Sequence, residues 1–204
     1  MGSEMCIRDS YRFLNDGSLI WWSERDGYGH LYRFAAGEWT QLTKGVSPVT
    51  ALVGVDEEKG RVYFQAVHDV LEKHIYYVDM AHLGANPIVS ELGYVNSASM
   101  DKNGQSLLIT RSSSTQPPQT YLADTDGNRI AWVEENALDA DHPYAPYLAS
   151  HVAPEFGTVP AEDGTPLHYM MLKPDMEPGK KYPCLLYTSP SPRDLSTSRM
   201  PSSA

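Results

Sequence analysis

The stretch WWSERDGYGHLYRF, residues 21–34, decides which fold this chain can adopt. Aromatic and aliphatic residues lie on both sides of Arg25-Asp26-Gly27 and favour two β-strands. Asp-Gly between such runs is typical of a hairpin, because glycine takes the positive φ that a tight turn needs. The stretch therefore predicts a β-hairpin closed by a two-residue turn.

The hairpin belongs to a repeat of about 44 residues. Three sets of markers carry it: Gly17, Gly60 and Gly104, which are 43 and 44 positions apart; Tyr32, Tyr76 and Tyr121, which are 44 and 45 apart; and Gly37, Gly84 and Gly127, which are 47 and 43 apart. This period, with four short strands in each unit, is typical of a β-propeller blade. The predicted units are 11–45, 46–93 and 94–136. A helical repeat is excluded because the markers lie in alternating, not 3.6-periodic, sequence.

The sequence thus predicts an all-β fold, a partial β-propeller of about three four-stranded blades within residues 11–150. The three repeat tyrosines are expected to be buried between blades, where each ring contributes about 1.5–3 kcal/mol. Three blades cannot close a ring, since propellers have four to eight. The chain on its own is therefore expected to aggregate or to remain unfolded.

A second domain is predicted to begin at about residue 151. Strands at 155–159 and 167–172 surround an Asp163-Gly164 turn, and residues 180–183 are expected to open a further apolar strand. The two ends, 1–10 and 187–204, lack any strand or helix period and are interpreted as non-native. Their junction with the native sequence at the C-terminal side lies between Cys184 and Tyr187.

Composition excludes several classes of function. The formal net charge is -10, from 26 acidic and 16 basic side chains. No basic stripe is present, which argues against nucleic acid as a partner, and no apolar run is long enough to span a bilayer. Because Cys6 and Cys184 lie in or beside the ends interpreted as non-native, no disulfide or zinc pattern is predicted.

Candidate catalytic and metal-binding residues are better explained as structural. No G-x-S-x-G motif is present, and residues 45–49 only approach one. The Glu57-Glu58 pair falls in a predicted turn and is interpreted as solvated. His30 and His74 occupy equivalent repeat positions, which favours a structural role, and His68 has no third ligand at metal spacing.

One segment faintly resembles a calcium loop. It runs over residues 124–128, with Glu135 at the twelfth position. Because Gly127 also fits the repeat turn and residues 130–132 read as a strand, no calcium site is predicted. No metal ion or cofactor is expected anywhere in the chain.

Several of these segments together resemble a known family. They are residues 23–32, 53–64, 71–76, 117–122, 134–138, 163–165, 173–174 and 180–183, in that order. They resemble the propeller of dipeptidyl-peptidase IV-like serine peptidases, of the prolyl oligopeptidase class (S9 family). The resemblance covers about 11–186. It implies that residues 151–186 are the start of a truncated α/β-hydrolase domain.

The resemblance implies a parent enzyme that removes Xaa-Pro or Xaa-Ala dipeptides from the N-termini of peptides. Its Ser-His-Asp triad would lie beyond this chain, its amine-binding glutamate pair would precede residue 11, and Tyr187 does not match its oxyanion tyrosine. We therefore assign no catalytic, substrate-binding or metal residue. The resemblance also implies an exported, periplasmic parent that can form a homodimer. A non-catalytic propeller, or a related acyl-peptide or oligopeptide hydrolase, remains open as an alternative.

Overall fold

The computed structural model describes residues 11–67, 69–84 and 86–185. Thirteen strands are present in this part of the chain: β1 (Tyr11–Phe13), β2 (Leu19–Ser23), β3 (His30–Ala35), β4 (Glu38–Gln41), β5 (Val49–Asp56), β6 (Arg61–Val67), β7 (Lys73–Asp79), β8 (Val95–Met100), β9 (Ser106–Ser112), β10 (Gln119–Asp124), β11 (Arg129–Glu134), β12 (Glu155–Pro160) and β13 (Pro166–Met171). A 3-10 helix, Ala145–Ser150, follows β11. No helix among the described residues is long and apolar enough to cross a membrane.

The predicted hairpin is formed by β2 and β3, with Trp21 opposite Tyr32 and Ser23 opposite His30. Its loop is longer than predicted, because pairing stops at Ser23 and resumes at His30. Gly27 has the expected positive φ of 92°. The Trp22 indole covers Gly29, the last residue of this loop, so closely that a Cβ there would lie 2.7 Å from the ring.

The first eleven strands form three blades in sequence order. The first blade is the antiparallel sheet β1-β2-β3-β4, the second is β5-β6-β7, and the third is β8-β9-β10-β11. The second and third blades join into one seven-stranded sheet through a parallel pairing of Lys73 with Val95.

The second blade differs from the predicted four strands. In place of its fourth strand it has an isolated bridge between Tyr76 and Ile88. The backbone nevertheless runs beside β7 there, since the Val89 N–H donates to the Ile75 carbonyl at 2.8 Å and the Tyr77 N–H donates to the Pro87 carbonyl at 3.2 Å. Pro87 has no N–H to donate, which explains why the ladder does not extend.

The core lies between successive blades. One buried cluster joins Ile20 and Leu31 of the first blade to Val62 and Phe64 of the second. Another joins Tyr63 and Ile75 of the second blade to Leu107, Ile109 and Tyr121 of the third. Of the repeat tyrosines, Tyr32 and Tyr121 are buried and Tyr76 is half-buried.

The predicted hairpin after the third blade is confirmed as β12 and β13, paired from Glu155–Met171 to Pro160–Pro166. The chain divides into two compact units, one ending at Leu172 and the other beginning at Lys173. The strand predicted at 180–183 is wrong for the described residues, because none of those after Leu172 is in a strand. Pro183 cannot donate a ladder hydrogen bond, and no strand pairs with this segment in the described part of the chain. The predicted ends at 1–10 and 187–204 lie outside the described residues.

Candidate functional site

The two repeat histidines, His30 and His74, are buried at the start of β3 and β7. The His30 ring contacts the Thr43 hydroxyl through Nδ1 at 3.2 Å and the Gly45 carbonyl through Nε2 at 3.0 Å. Because a carbonyl only accepts, Nε2 carries the proton and Nδ1 accepts from Thr43. The same hydroxyl accepts the Leu31 N–H at 3.0 Å.

His74 repeats this arrangement with one addition. Its Nδ1 lies 2.9 Å from the Ser90 hydroxyl, which accepts the Ile75 N–H at 3.0 Å, and its Nε2 lies 2.7 Å from Glu72 Oε2. Serine and glutamate thus flank the imidazole as in a catalytic triad, but on the opposite nitrogens, since in a triad the serine contacts Nε2 and the carboxylate contacts Nδ1. In the first blade a backbone carbonyl replaces the carboxylate and a threonine replaces the serine. The hydrogen bonds that the two blades share therefore fix the segment that ends each blade to the third strand of that blade.

The other candidates also lie at structural positions. Glu57 and Glu58 are in the exposed β5–β6 turn, where Glu57 accepts the Asn15 N–H at 2.8 Å. His68 lies outside the described residues, as do Cys6 and Tyr187. No group of three or more histidine, cysteine, aspartate or glutamate side chains in the described ranges could hold a metal ion.

Residues 124–128 faintly resemble a calcium loop, but their carboxylates accept hydrogen bonds from the protein or form ion pairs with it. Asp124 accepts the N–H groups of Asp126 and Asn128, each at 2.9 Å. Asp126 forms ion pairs with Lys59 at 3.2 Å and Arg61 at 2.6 Å. Hydrogen bonds from Arg61 and then Lys59 hold the pKa of Asp126 below its usual value. The loop therefore ties the third blade to the second.

A second ionic cluster, centred on Glu91, connects the same two blades. This carboxylate, at the end of the second blade, accepts from Arg111 and, at 3.1 Å, from Arg129. The Arg111 guanidinium is buried and lies 5.4 Å from the centre of the Trp132 ring and 5.8 Å from that of Tyr121. Burial raises the pKa of Tyr121, and the nearby Glu91 charge adds to the effect. These partners are 20 and 38 positions apart, so no local sequence signal pairs them.

A cavity of about 510 Å³ lies where the third blade ends. The β9–β10 loop, residues 113–118, forms one side with serine, threonine and proline, and His142, Tyr144, Leu148 and His151 form the other. The Tyr144 hydroxyl contacts His151 Nδ1 at 2.9 Å, and His142 Nδ1 accepts the Tyr144 N–H at 3.0 Å. This cavity was not predicted from the sequence, although the Ser- and Pro-rich loop between β9 and β10 is a signal for it.

Comparisons with known proteins agree with this architecture. Residues 6–118, more than half of the chain, match the family model described as the dipeptidyl peptidase IV (DPP IV) N-terminal region. The match begins at residue 6, inside the segment 1–10 that was predicted to be non-native.

Two relatives match a larger share of the chain than the family model does. A protein named "Probable dipeptidyl peptidase 4" from Aspergillus flavus is 27% identical over 180 residues, which are 85% of this chain and 23% of that protein. Human dipeptidyl peptidase 8 is 28% identical over 167 residues, which are 78% of this chain and 18% of that protein. The chain thus spans less than a quarter of the length of these relatives.

A solved structure shows the same fold. The crystal structure of Porphyromonas gingivalis dipeptidyl peptidase 4 superposes with a TM-score of 0.73 at 23% identity, over 86% of this chain and 25% of that one. The part covered is propeller, and the catalytic domain is not covered. With more than half of its length matched by the family model, this chain belongs to the family of the dipeptidyl peptidase IV N-terminal region, as a fragment of its β-propeller.

Proposed function

We propose that this chain is the gating part of a serine exopeptidase that releases Xaa-Pro or Xaa-Ala dipeptides from the N-termini of peptides. The observation that carries the proposal is the family match over residues 6–118, in a chain whose three blades pack in series. In this role the blades wall the cavity above the active site and admit short or unfolded peptide ends. The Ser-His-Asp triad is supplied from outside the chain, so the chain alone is inactive.

The β12–β13 hairpin supports an adjoining α/β-hydrolase domain. Apolar side chains of this hairpin are exposed, among them Val159 at 49%, Leu167 at 52% and Met170 at 64%. A sheet with apolar side chains on both faces is typical of a strand pair that is covered on both sides. We therefore assign residues 11–150 to the propeller and 151–186 to the first strands of the hydrolase domain.

Further features of the parent are part of the same proposal. Its substrates are peptides, it is exported to the periplasm, and it can form a homodimer. The propeller itself needs no metal or cofactor for this role, because it acts by shape and by the rigidity of its blade junctions.

The test is an assay of the full-length parent on a chromogenic Xaa-Pro substrate with a free amine, beside the same substrate with an acetylated amine. Turnover of the free-amine substrate alone supports the proposal. Turnover of the acetylated substrate would favour an acyl-peptide or oligopeptide hydrolase. No turnover of either, together with no G-x-S-x-G downstream, would leave a non-catalytic binding or scaffold propeller and overturn the proposal.

A further inference from the structure

We propose that Asn136 is a positioning residue of the parent peptidase, because it fixes the linker between the propeller and the β12–β13 hairpin. The linker is residues 135–154, between the end of β11 and the start of β12. A linker held in one conformation keeps the propeller and the domain that follows it at a fixed spacing, which sets how large a peptide end can enter between them. The inference deepens the proposed function and rests on it, since it assumes that the hairpin begins the catalytic domain.

Asn136 has an uncommon backbone conformation for a residue that carries a side chain. Its φ is 44°, and among the described residues Ala36 is the only other non-glycine residue with a positive φ. Ala36 lies in the two-residue turn between β3 and β4, where a positive φ is required. Asn136 lies outside any hairpin turn. Asparagine tolerates this left-handed region better than most residues, but such a conformation persists only where the surrounding contacts hold it.

All four polar groups of Asn136 are hydrogen-bonded. Its backbone N–H donates to Glu134 Oε1 at 3.1 Å, and its backbone carbonyl accepts from Gln116 Nε2 at 3.0 Å. Its side-chain Nδ2 donates to the Pro118 carbonyl at 2.9 Å, and its Oδ1 accepts from His142 Nε2 at 2.9 Å. Asn136 thus joins the β9–β10 loop of the third blade to the linker.

A chain of hydrogen bonds continues from His142 toward β12. Its Nδ1 accepts the Tyr144 N–H at 3.0 Å, so the ring proton lies on Nε2, which donates it to Asn136. The Tyr144 hydroxyl contacts His151 Nδ1 at 2.9 Å, and the two rings meet edge to face with their centres 5.9 Å apart. Tyr144 and His151 therefore bracket the 3-10 helix, and His151 is four positions before Glu155, the first residue of β12.

Few apolar contacts hold the linker in place. The 3-10 helix has no buried residue, and Tyr147 within it is 61% exposed. The cavity of about 510 Å³ separates part of the linker from the β9–β10 loop. Segments with few buried apolar contacts open at a low cost in free energy. The hydrogen bonds of Asn136 therefore decide which conformation the linker takes.

Asn136 lies where the chain leaves the third blade, which is the place where a rotation of the following domain begins. Hinges of this kind are a few loop or element-terminal residues that absorb a change in φ and ψ. Loss of the Asn136 hydrogen bonds frees that rotation and widens the entrance between the propeller and the following domain. A small substrate enters in either case, whereas a long peptide gains access.

The test uses the full-length parent and two substrates that begin with the same Xaa-Pro pair, a chromogenic dipeptide derivative and a long unstructured peptide. The ratio of their kcat/KM values, measured on one preparation, does not depend on the fraction of active enzyme. Asn136→Gly keeps the positive φ and removes both side-chain hydrogen bonds. We expect it to raise the long-to-short ratio by about threefold or more. An unchanged ratio would overturn the positioning role, because a purely structural residue alters only the active fraction.

The matched control is Asn103→Gly, in the β8–β9 turn of the same blade. The Asn103 side chain is exposed and forms no hydrogen bond in the part of the chain that the structure describes, so the ratio should stay unchanged. If Asn136→Gly does not fold, Asn136→Asp takes its place, since it keeps the oxygen that accepts from His142 and loses the donor to Pro118. Equal ratios for Asn136→Asp and Asn103→Gly would then overturn the positioning role.

His142→Ala tests the chain of hydrogen bonds, because it removes the other end of a bond made by Asn136. The double variant Asn136→Gly/His142→Ala should change the ratio no more than the larger of the two single variants does. Residues that share one interaction are non-additive in this way. Additive effects would overturn the connection through His142.

Hydrogen exchange separates this inference from the proposed function, since it needs no catalysis. We expect the linker peptide that contains the Tyr144 N–H to exchange about tenfold faster in Asn136→Gly than in the unchanged parent, and Asn103→Gly to exchange like the parent. Faster exchange without a change in selectivity, in an active parent, would overturn the positioning role alone. Faster exchange in a parent that cleaves neither substrate would overturn the proposed function alone. Unchanged exchange would overturn the inference itself.

Discussion

The imidazole of His74 and the hydroxyl of Ser90 lie 2.9 Å apart, and the same relationship joins His30 to Thr43 at 3.2 Å. In both blades the hydroxyl also accepts the backbone N–H that follows the histidine. The segment that follows each blade is thereby hydrogen-bonded to the third strand of that blade. The two histidines, for which the repeat favours a structural role, thus close the blades.

We expect His74→Leu to destabilise the parent by about 2–3 kcal/mol, because it removes the imidazole from the half-buried Ser90 hydroxyl and from the Glu72 carboxylate. His74→Gln should cost less, since the third blade carries Gln119 at this position and uses both ends of its amide. Thermal unfolding measures the difference. The control is His82→Leu, at a side chain that is 87% exposed. An equal effect of the two leucine variants would contradict the structural role of His74.

Gly127→Ala should destabilise the parent more than Gly37→Ala. Both glycines occupy the same repeat turn with positive φ, 89° and 86°, so both variants carry a backbone strain of about 1–2 kcal/mol. A Cβ at Gly127 would in addition lie 2.4 Å from the Val89 carbonyl oxygen of the second blade, whereas nothing lies within 4 Å of one at Gly37. Overpacking of this kind adds about 1–3 kcal/mol. Equal denaturant midpoints for the two variants would show that the turn does not touch the second blade.

Asp126→Asn should lower stability near neutral pH and lose its effect in acid. The folded-state pKa of Asp126 is below its usual value of 3.8, so the ionised carboxylate stabilises the fold above that pH. This stabilisation falls away as the pH drops through the lowered pKa. Because the side chain is 54% exposed, we expect an effect of less than about 1 kcal/mol.

The check is the difference in unfolding free energy between Asp126→Asn and the unchanged protein at pH 7 and at about pH 3. Asp141→Asn, at an exposed carboxylate for which no ion pair is found in the described residues, is the control. A difference that stays constant over this range would contradict the role of the Lys59 and Arg61 ion pairs.

The sequence predicted the strands and their repeat because both depend on local order. Gly17, Gly60 and Gly104 all have positive φ, as the turns between the first two strands of each blade require. What the sequence did not predict depends on contacts between distant segments. The hairpin loop extends to Gly29, on which Trp22 packs, and the second blade has no fourth strand at Pro87.

The junction clusters were missed for the same reason. Glu91 meets Arg111 and Arg129 only once two blades stand side by side, and nothing in the sequence near Glu91 indicates that pairing. The cavity beside the β9–β10 loop likewise needs residues 142–151 to return to the third blade. The sequence could therefore predict the blades but not the surfaces where they meet.

The central claim is that this chain is a propeller segment whose chemistry is supplied by the rest of the parent. The most direct measurement compares turnover of an Xaa-Pro chromogenic substrate by the purified 204-residue chain and by the full-length parent at equal molar concentration. The account predicts hydrolysis by the parent and none by the chain. Hydrolysis by the purified chain, surviving repurification, would contradict it.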